Sequence, residues 1–231
     1  MGLPQPSTAA LTRSEERLPV LHHDQPAVRT LRIFLGLLGF STVIINMFVV
    51  AALPEGLHLG NYLSFFTNEA NLYAGAVLAI SGLLPRERLP RWWDGLRGAA
   101  AVYLVVTFVV FAVLLEGLPT AGTITPWVNT VVHRLMPVVL LIDWLLIPAA
   151  RPARWWRFLA WMAYPVAYLA YSLVRGAIVD WYPYPFLDPR GPAGYAGLVA
   201  SAGAVVVGFF LAAILFDLLG RLRRRIAVSR R

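Results

Sequence analysis

The sequence contains neither cysteine nor lysine. Without cysteine the chain forms no disulfide and offers neither a thiolate ligand to a metal ion nor a Cys nucleophile. It also lacks a Gly-rich phosphate loop, an HExxH motif and a GxSxG motif. His133 is the one histidine within an apolar run, so a two-histidine haem site or a His-based metal site has no second ligand there. We therefore expect no metal and no cofactor.

Charged residues are scarce as well, at 14% of the chain against 58% hydrophobic residues. Several apolar runs reach the roughly 20 residues that a helix needs to cross a bilayer, which predicts an all-α integral membrane protein. A net charge of +8 would suggest a nucleic-acid partner in a soluble chain. Here the arginines lie in short segments between the apolar runs, where membrane topology accounts for them, so we expect no nucleic acid.

Six apolar windows, separated by segments rich in Pro and Gly, predict one bundle of six transmembrane helices over residues 30–220. The windows are 31–53, 61–84, 97–117, 126–149, 155–177 and 194–219. Residues 1–29 lack the continuous apolar stretch of a cleaved signal peptide and predict a disordered cytoplasmic N-terminal extension. Residues 221–231 predict a basic cytoplasmic tail.

The arginines cluster before the first window, in the second and fourth connections and after the last window. The other connections hold only Arg190, with Arg175 at a helix end. By the positive-inside rule both termini are cytoplasmic. All 20 basic residues are Arg, which together with abundant Ala, Gly and Pro is typical of proteins from GC-rich bacteria. We therefore predict a multi-pass protein of the bacterial cell (inner) membrane.

Two polar side chains are predicted at the same depth in different windows. With this topology the second and fourth windows both begin at the outer face, and Thr67 and His133 each lie about 10 Å below that end. Asn129 is one helical turn before His133, where it can orient the imidazole. Thr67 shares its flank of the second window with three further polar residues, Ser64, Asn68 and Asn71.

The fifth window carries aromatic and basic side chains at helical spacing, namely Tyr164, Tyr168, Tyr171 and Arg175. This stripe climbs toward the outer face, so Arg175 is placed to bind an anionic head group. Alternatively, Arg175 extends to the interface, as Arg near a helix end often does.

A hydroxyl within reach of a neutral imidazole is the minimal arrangement for nucleophilic catalysis, because the imidazole removes the hydroxyl proton as attack proceeds. Thr, Ser, Asn and His also hold membrane helices together through interhelical hydrogen bonds. The pattern favours this structural role for Ser64, Asn68 and Asn71. It leaves both roles open for Thr67 and His133.

The acidic residues of the windows are interpreted as structural or solvated. Asp143 lies about 15 Å along the helix from the histidine, too far to complete a triad. With Asp217, it is expected to form structural pairs near the cytoplasmic side. Glu69 has Arg134 as a possible partner, and Glu116 is expected to be solvated.

Three segments, "NTVVHRLMPVVLLIDW", "DWYPYPFLDPRGPAGY" and "FFTN", resemble the androgen-induced and androgen-dependent tissue-factor-pathway-inhibitor-regulating family of membrane proteins, and more closely its bacterial six-helix members. The resemblance covers nearly all of the chain from residue 30 onward. Eukaryotic members of that family are hydrolases that use a Thr and a His to cleave fatty acid esters of hydroxy fatty acids. The resemblance implies Thr67 as nucleophile and His133 as base. Ser64 is the alternative nucleophile, because "YLSFF" also resembles the family's hydroxyl-containing segment.

On this basis we predict an intramembrane lipid ester hydrolase whose partners are a lipid substrate and membrane lipids. Asn129, Asn68 or a Tyr of the fifth window would stabilise the oxyanion, and the "DWYPYPFLDPRGP" loop would cover the cavity mouth. A non-enzymatic membrane lipid-binding or transport protein is the alternative, and a scaffold for partner proteins ranks lowest. The candidate substrate-binding residues are Ser64, Asn68, Asn71, Asn129, Tyr168, Tyr171 and Arg175.

Overall fold

The computed structural model describes residues 22–117 and 125–229. All regular structure in these residues is helical, which confirms the all-α prediction for this part of the chain. Most of the predicted N-terminal extension, most of the third connection and the last two residues of the tail lie outside the described residues.

The described part of the chain contains eight α-helices and two π-helical turns. The π-helical turn Phe111–Leu115 extends α4, and the π-helical turn Val131–Leu135 joins α5 to α6 in one continuous helix. The helices are α1 Pro26–Ala51, α2 Leu59–Leu63, α3 Phe66–Leu83, α4 Trp93–Val110, α5 Pro126–Thr130, α6 Met136–Leu146, α7 Arg157–Val179 and α8 Gly194–Ser229.

Five helices are long and apolar enough to cross a membrane, so the chain has the character of a multi-pass membrane protein. The second window is not among the five, because it is divided into α2 and α3 and because α3 carries four polar residues in its first two turns. The five are Pro26–Ala51, Trp93–Leu115, Pro126–Leu146, Arg157–Val179 and Gly194–Ser229.

Helical structure extends past both boundaries of the predicted transmembrane domain. Helix α1 begins at Pro26, whose fixed backbone angle suits the first helical position. Helix α8 continues through the arginine-rich tail to Ser229, because neither Gly nor Pro follows Gly220 to end it. Its 36 residues give a length of about 54 Å, well beyond the thickness of a bilayer core of about 30 Å.

The long helices run alternately up and down, which brings most of the arginines to one end of the bundle. At this end, which we call the arginine end, Arg29 near the start of α1 donates from Nε to the carbonyl of Gly82 at the end of α3, at 2.9 Å. Arg157 at the start of α7 forms an ion pair of 2.7 Å with Asp217 in the C-terminal half of α8. Thr67 and His133 lie toward the opposite end.

Glycine allows α1 and α3 to pack unusually closely. A Cβ atom on Gly36 would lie 2.5 Å from the backbone nitrogen of Ala79, and one on Gly75 would lie 2.8 Å from the carbonyl oxygen of Gly36. Small residues permit this approach of backbones, which gains packing contacts where apolar side chains alone drive no association in lipid. The contact holds α3, and with it Thr67, against α1.

A buried ion network joins three helices near the arginine end. Asp143 on α6 accepts from Arg32 Nε on α1 at 2.6 Å and from Arg97 Nη2 on α4 at 2.8 Å. Arg97 also pairs with Asp94 at 3.2 Å. All four side chains are at most 8% exposed. Asp143 therefore has structural partners as expected, and Asp217 likewise pairs with Arg157 and Arg221.

The expected pairing of Glu69 with Arg134 is wrong. Glu69 instead accepts a hydrogen bond from the Tyr164 hydroxyl. Arg134 instead forms a half-exposed ion pair of 2.6 Å with Glu116, and Glu116 is also exposed to solvent, as expected. Arg134 lies next to His133, but its side chain leaves the π-helical turn in a different direction.

Candidate active site

A break in the helix before Thr67 determines where this side chain points. Ser64 and Phe65 are non-helical, and Phe65 is the N-terminal cap of α3 with extended backbone angles. Thr67 therefore lies in the first turn of α3, where backbone N–H groups have no partner within the helix. The Phe66 amide donates to the hydroxyl of Tyr168 at 3.2 Å, and the Thr67 amide donates to the hydroxyl of Tyr184 at 3.4 Å.

His133 lies in the π-helical turn Val131–Leu135, one helical turn before Pro137. Proline has no N–H and its ring clashes with the carbonyl four residues earlier, which here is that of His133. The wider π-helical turn accommodates this clash, and such turns occur often at functional sites. The local sequence thus explains why the helix widens where it presents the imidazole.

Thr67 and His133 are in direct contact. The distance from Thr67 Oγ1 to His133 Nε2 is 3.2 Å, and both side chains are buried. On the other side of the ring, His133 Nδ1 lies 2.7 Å from Asn129 Oδ1. Because this oxygen is an acceptor, a neutral imidazole carries its proton on Nδ1 and directs the lone pair of Nε2 at the threonine hydroxyl.

Asn129 takes the place that a carboxylate has in many catalytic triads. Among residues 22–117 and 125–229 no carboxylate contacts the imidazole, and Asp143 belongs to the ion network at the arginine end. An amide oxygen can fix the tautomer and the ring orientation without adding charge. In a membrane this is an advantage, because a buried charge is costly.

Next to Thr67 is an apolar cavity of about 60 Å³. Its walls come from α3, α4, α7, α8 and the loop between α7 and α8, and include Phe111, Tyr168, Tyr184 and Phe209. The Thr67 side chain lines this cavity, while His133 lies behind it. The walls are hydrocarbon except for a few hydroxyl groups, so their chemistry suits the few methylene groups that a volume of this size holds.

Ser64 does not face His133, so the expectation that it shares one helical flank with Thr67 is wrong. The helix break turns Ser64 toward α7, where its Oγ bonds the carbonyl of Gly60 at 2.6 Å and lies 2.8 Å from the hydroxyl of Tyr171. The geometry therefore places the Thr67 hydroxyl, and not that of Ser64, beside the imidazole.

The two asparagines of α3 hold the site together. Asn71 Nδ2 donates to the carbonyl of Thr67 at 2.9 Å and to that of Val132 at 3.1 Å, which joins α3 to the turn that carries the histidine. Asn68 Nδ2 donates to the carbonyl of Tyr62 at 2.8 Å, which bridges the helix break. Both contacts fit the structural role that the sequence pattern favoured.

The other expected binding residues, on α7, lie farther from the Thr67 hydroxyl than His133 does. Tyr168 donates to the carbonyl of Ser64 at 2.7 Å and lines the cavity. Tyr171 is half exposed. Arg175 Nη2 donates to Asn61 Oδ1 at 2.7 Å, and its guanidinium lies over the ring of Trp181. Arg175 thus lies toward the end of the bundle opposite the arginine end, beyond the helix break.

Two residues of the site were not identified from the sequence, Tyr184 and Phe111. Tyr184 comes from the "YPYPFLD" loop, which was expected only to cover the cavity, and it is 9% exposed. Phe111 stacks on the His133 ring with centroids 4.1 Å apart. The aromatic richness of the loop was a signal for Tyr184, whereas Phe111 is one of many apolar residues in its window.

No group of three or more metal-ligating His, Asp or Glu residues occurs in the part of the chain that the structure describes. No protein-family model, no curated protein and no solved structure matches the chain. The fold and the site together define an all-helical membrane protein with a buried hydroxyl–imidazole pair at the wall of an apolar cavity. The family resemblance rests on the sequence motifs alone.

Proposed function

We propose that the protein is an intramembrane lipid ester hydrolase of the androgen-induced type, with Thr67 as nucleophile and His133 as general base. The observation that carries this proposal is the 3.2 Å contact between the Thr67 hydroxyl and His133 Nε2, with Asn129 on the other ring nitrogen. A merely structural threonine does not need an oriented imidazole and an adjoining cavity that accepts hydrocarbon.

The reaction proceeds in two halves. Thr67 Oγ1 attacks the carbonyl carbon of the ester while His133 Nε2 takes its proton, and the tetrahedral intermediate expels the alcohol, to which His133 returns the proton. The acyl-threonine is then attacked by water, which His133 deprotonates in turn. Collapse of the second intermediate, with return of the proton to Thr67, releases the fatty acid and restores the hydroxyl.

Negative charge on the carbonyl oxygen needs a hydrogen-bond donor near Thr67. Tyr184 is the best placed, since its hydroxyl is within 3.4 Å of the Thr67 amide and borders the cavity. When substrate is bound, this hydroxyl turns its proton to the oxyanion. Preorganised donors of this kind act strongly in a site that excludes water.

The topology that fits this function has six spans and cytoplasmic termini, in a bacterial inner membrane. The 18 residues of α3 rise about 27 Å, so with the preceding α2 the second window is long enough to cross. The arginine end then faces the cytoplasm and the site lies in the outer leaflet. A lipid ester would reach the site from that leaflet.

The substrate class follows from the family resemblance, which implies fatty acid esters of hydroxy fatty acids. Such a lipid has two acyl chains, an internal ester and a free carboxylate. Arg175 at the outer rim is available for the carboxylate, since Arg and a carboxylate form strong charge-assisted hydrogen bonds. The cavity beside Thr67 takes hydrocarbon next to the ester.

A second candidate function is lipid binding or transport without catalysis. It is favoured by the fact that the Thr67, His133 and Asn129 side chains already satisfy one another. In this case the hydroxyl is not activated, and alanine at His133 leaves lipid binding intact.

The deciding experiment is labelling of the detergent-purified protein with a fluorophosphonate probe. We expect label on the wild type, loss in Thr67→Ala and in His133→Ala, and partial retention in Thr67→Ser. Ser64→Ala is the matched control, because this buried hydroxyl lies three residues away but is bonded to Gly60 and Tyr171. The hydrolase is rejected in favour of lipid binding if the folded Thr67→Ala variant is fully labelled, or if the folded wild type takes up no label.

A further inference from the structure

The arginine end contains a cavity of about 150 Å³ that the hydrolase site does not use, beside a larger one of about 320 Å³. It lies between the segment that follows α6, the start of α7 and the C-terminal part of α8. Five arginine residues line it, namely Arg151, Arg157, Arg221, Arg224 and Arg225.

The negative charge at this cavity is much smaller than the positive charge. Asp217 binds Arg157 at 2.7 Å and Arg221 at 2.5 Å. Within the described residues, the other three arginines of the lining form no ion pair with a carboxylate. No carboxylate lines the cavity, and the single charge of Asp217 beside it is shared by two of the five arginines, so the excess positive charge favours the binding of an anion.

The donor geometry favours a phosphate group. Guanidinium groups present planar pairs of N–H donors that match the oxygen atoms of phosphate. Arg224 Nε is buried and has no hydrogen-bond partner among the described residues, so it has a donor to offer. Arg221 is held in place by donation to the carbonyl of Arg154 at 2.9 Å, which keeps one wall of the cavity rigid.

The surroundings place this phosphate at a membrane surface. Trp155 and Trp156, in the segment that lines the cavity, are 74% and 40% exposed. Exposed Trp beside Arg is the arrangement found where a helix end meets the lipid head groups. Clusters of arginine at the cytoplasmic end of a transmembrane helix bind anionic lipids.

We propose that this cavity binds the phosphate group of an anionic membrane lipid. The lipid joins the segment after α6 to the C-terminal part of α8, and its acyl chains lie along the outside of the bundle. Its binding is independent of the ester hydrolase site at the other end.

The test measures the thermal midpoint of the full-length, detergent-purified protein during titration with phosphatidylglycerol, with phosphatidylcholine and with inorganic phosphate. We expect saturable stabilisation by phosphatidylglycerol only. The triple variant Arg151→Gln, Arg224→Gln, Arg225→Gln should bind phosphatidylglycerol at least about tenfold more weakly. The matched control is Arg88→Gln, Arg91→Gln, Arg223→Gln, which removes the same charge at the same end but from outside the cavity lining.

Three results would overturn the proposal. Equal weakening in both triple variants means that diffuse charge, and not the cavity, attracts the lipid. Equal stabilisation of the wild type by inorganic phosphate at the same concentration means that the site takes a free phosphate. If phosphatidylglycerol and phosphatidylcholine shift the thermal midpoint of the wild type equally, the site is rejected, whether or not the variants fold.

Discussion

The imidazole of His133 lies almost flat against the ring of Phe111, with centroids 4.1 Å apart and the planes inclined by 19°. His133 belongs to the π-helical turn between α5 and α6, and Phe111 belongs to the π-helical turn at the end of α4. The phenyl ring covers one face of the imidazole and leaves its edge free for Thr67 and Asn129. Two irregular turns thus meet at the imidazole that the proposed chemistry needs.

Asn129→Leu should lower the rate of fluorophosphonate labelling by about 10²-fold, because the imidazole loses the acceptor that keeps its proton on Nδ1. Leu has a similar volume, so the thermal midpoint should change little. Asn129→Asp keeps an acceptor at this position and should retain most of the rate. If Leu and Asp slow labelling equally, Asn129 does not act by positioning the ring.

Tyr184→Phe should slow labelling by about 10²- to 10³-fold, the usual cost of removing one oxyanion donor. The phenyl ring keeps its stacking on Phe186 and its edge contact with Phe65, so the fold should persist. Tyr182→Phe serves as the control, because it removes a hydroxyl from the same loop that does not contact Thr67. Equal labelling rates in the two variants would assign the donor to another group.

Asp143→Asn should lower the free energy of unfolding by about 3–5 kcal/mol, because it leaves Arg32 and Arg97 buried without their shared carboxylate. The thermal midpoint in detergent measures this. Asp188→Asn is the control: hydrogen bonds from Arg190 lower the pKa of Asp188, but the pair is partly exposed and water weakens it. If the thermal midpoint of Asp143→Asn is as high as that of Asp188→Asn, the network adds no stability.

Gly75→Ala should destabilise the protein, since the added Cβ would lie 2.8 Å from the carbonyl oxygen of Gly36 and force α1 and α3 apart. Gly203→Ala on α8 has open space and should stabilise by up to about 1 kcal/mol, the helix propensity difference between the two residues. The two variants should shift the thermal midpoint in opposite directions, which tests the packing directly. A gain in both variants would mean that α1 and α3 are not in close contact.

Much of the fold can be read from local sequence. The helical windows, the Pro- and Gly-rich connections and the shared depth of Thr67 and His133 all follow from residue spacing along one helix at a time. Residue spacing alone gives the wrong result at the second window. There the break at Ser64 and Phe65 divides the helix. The prediction of one continuous helix therefore put Ser64 on the same face as Thr67, although Ser64 faces α7.

The sequence by itself determined that the chain is a helical membrane protein, because the length and apolarity of a helix are local properties. It also placed Asn129 one helical turn before His133. Only the tertiary structure decided that Thr67 and not Ser64 meets the imidazole, and that Tyr184 and Phe111 complete the site. These choices depend on contacts between helices far apart in the chain, which residue spacing along a single helix does not specify.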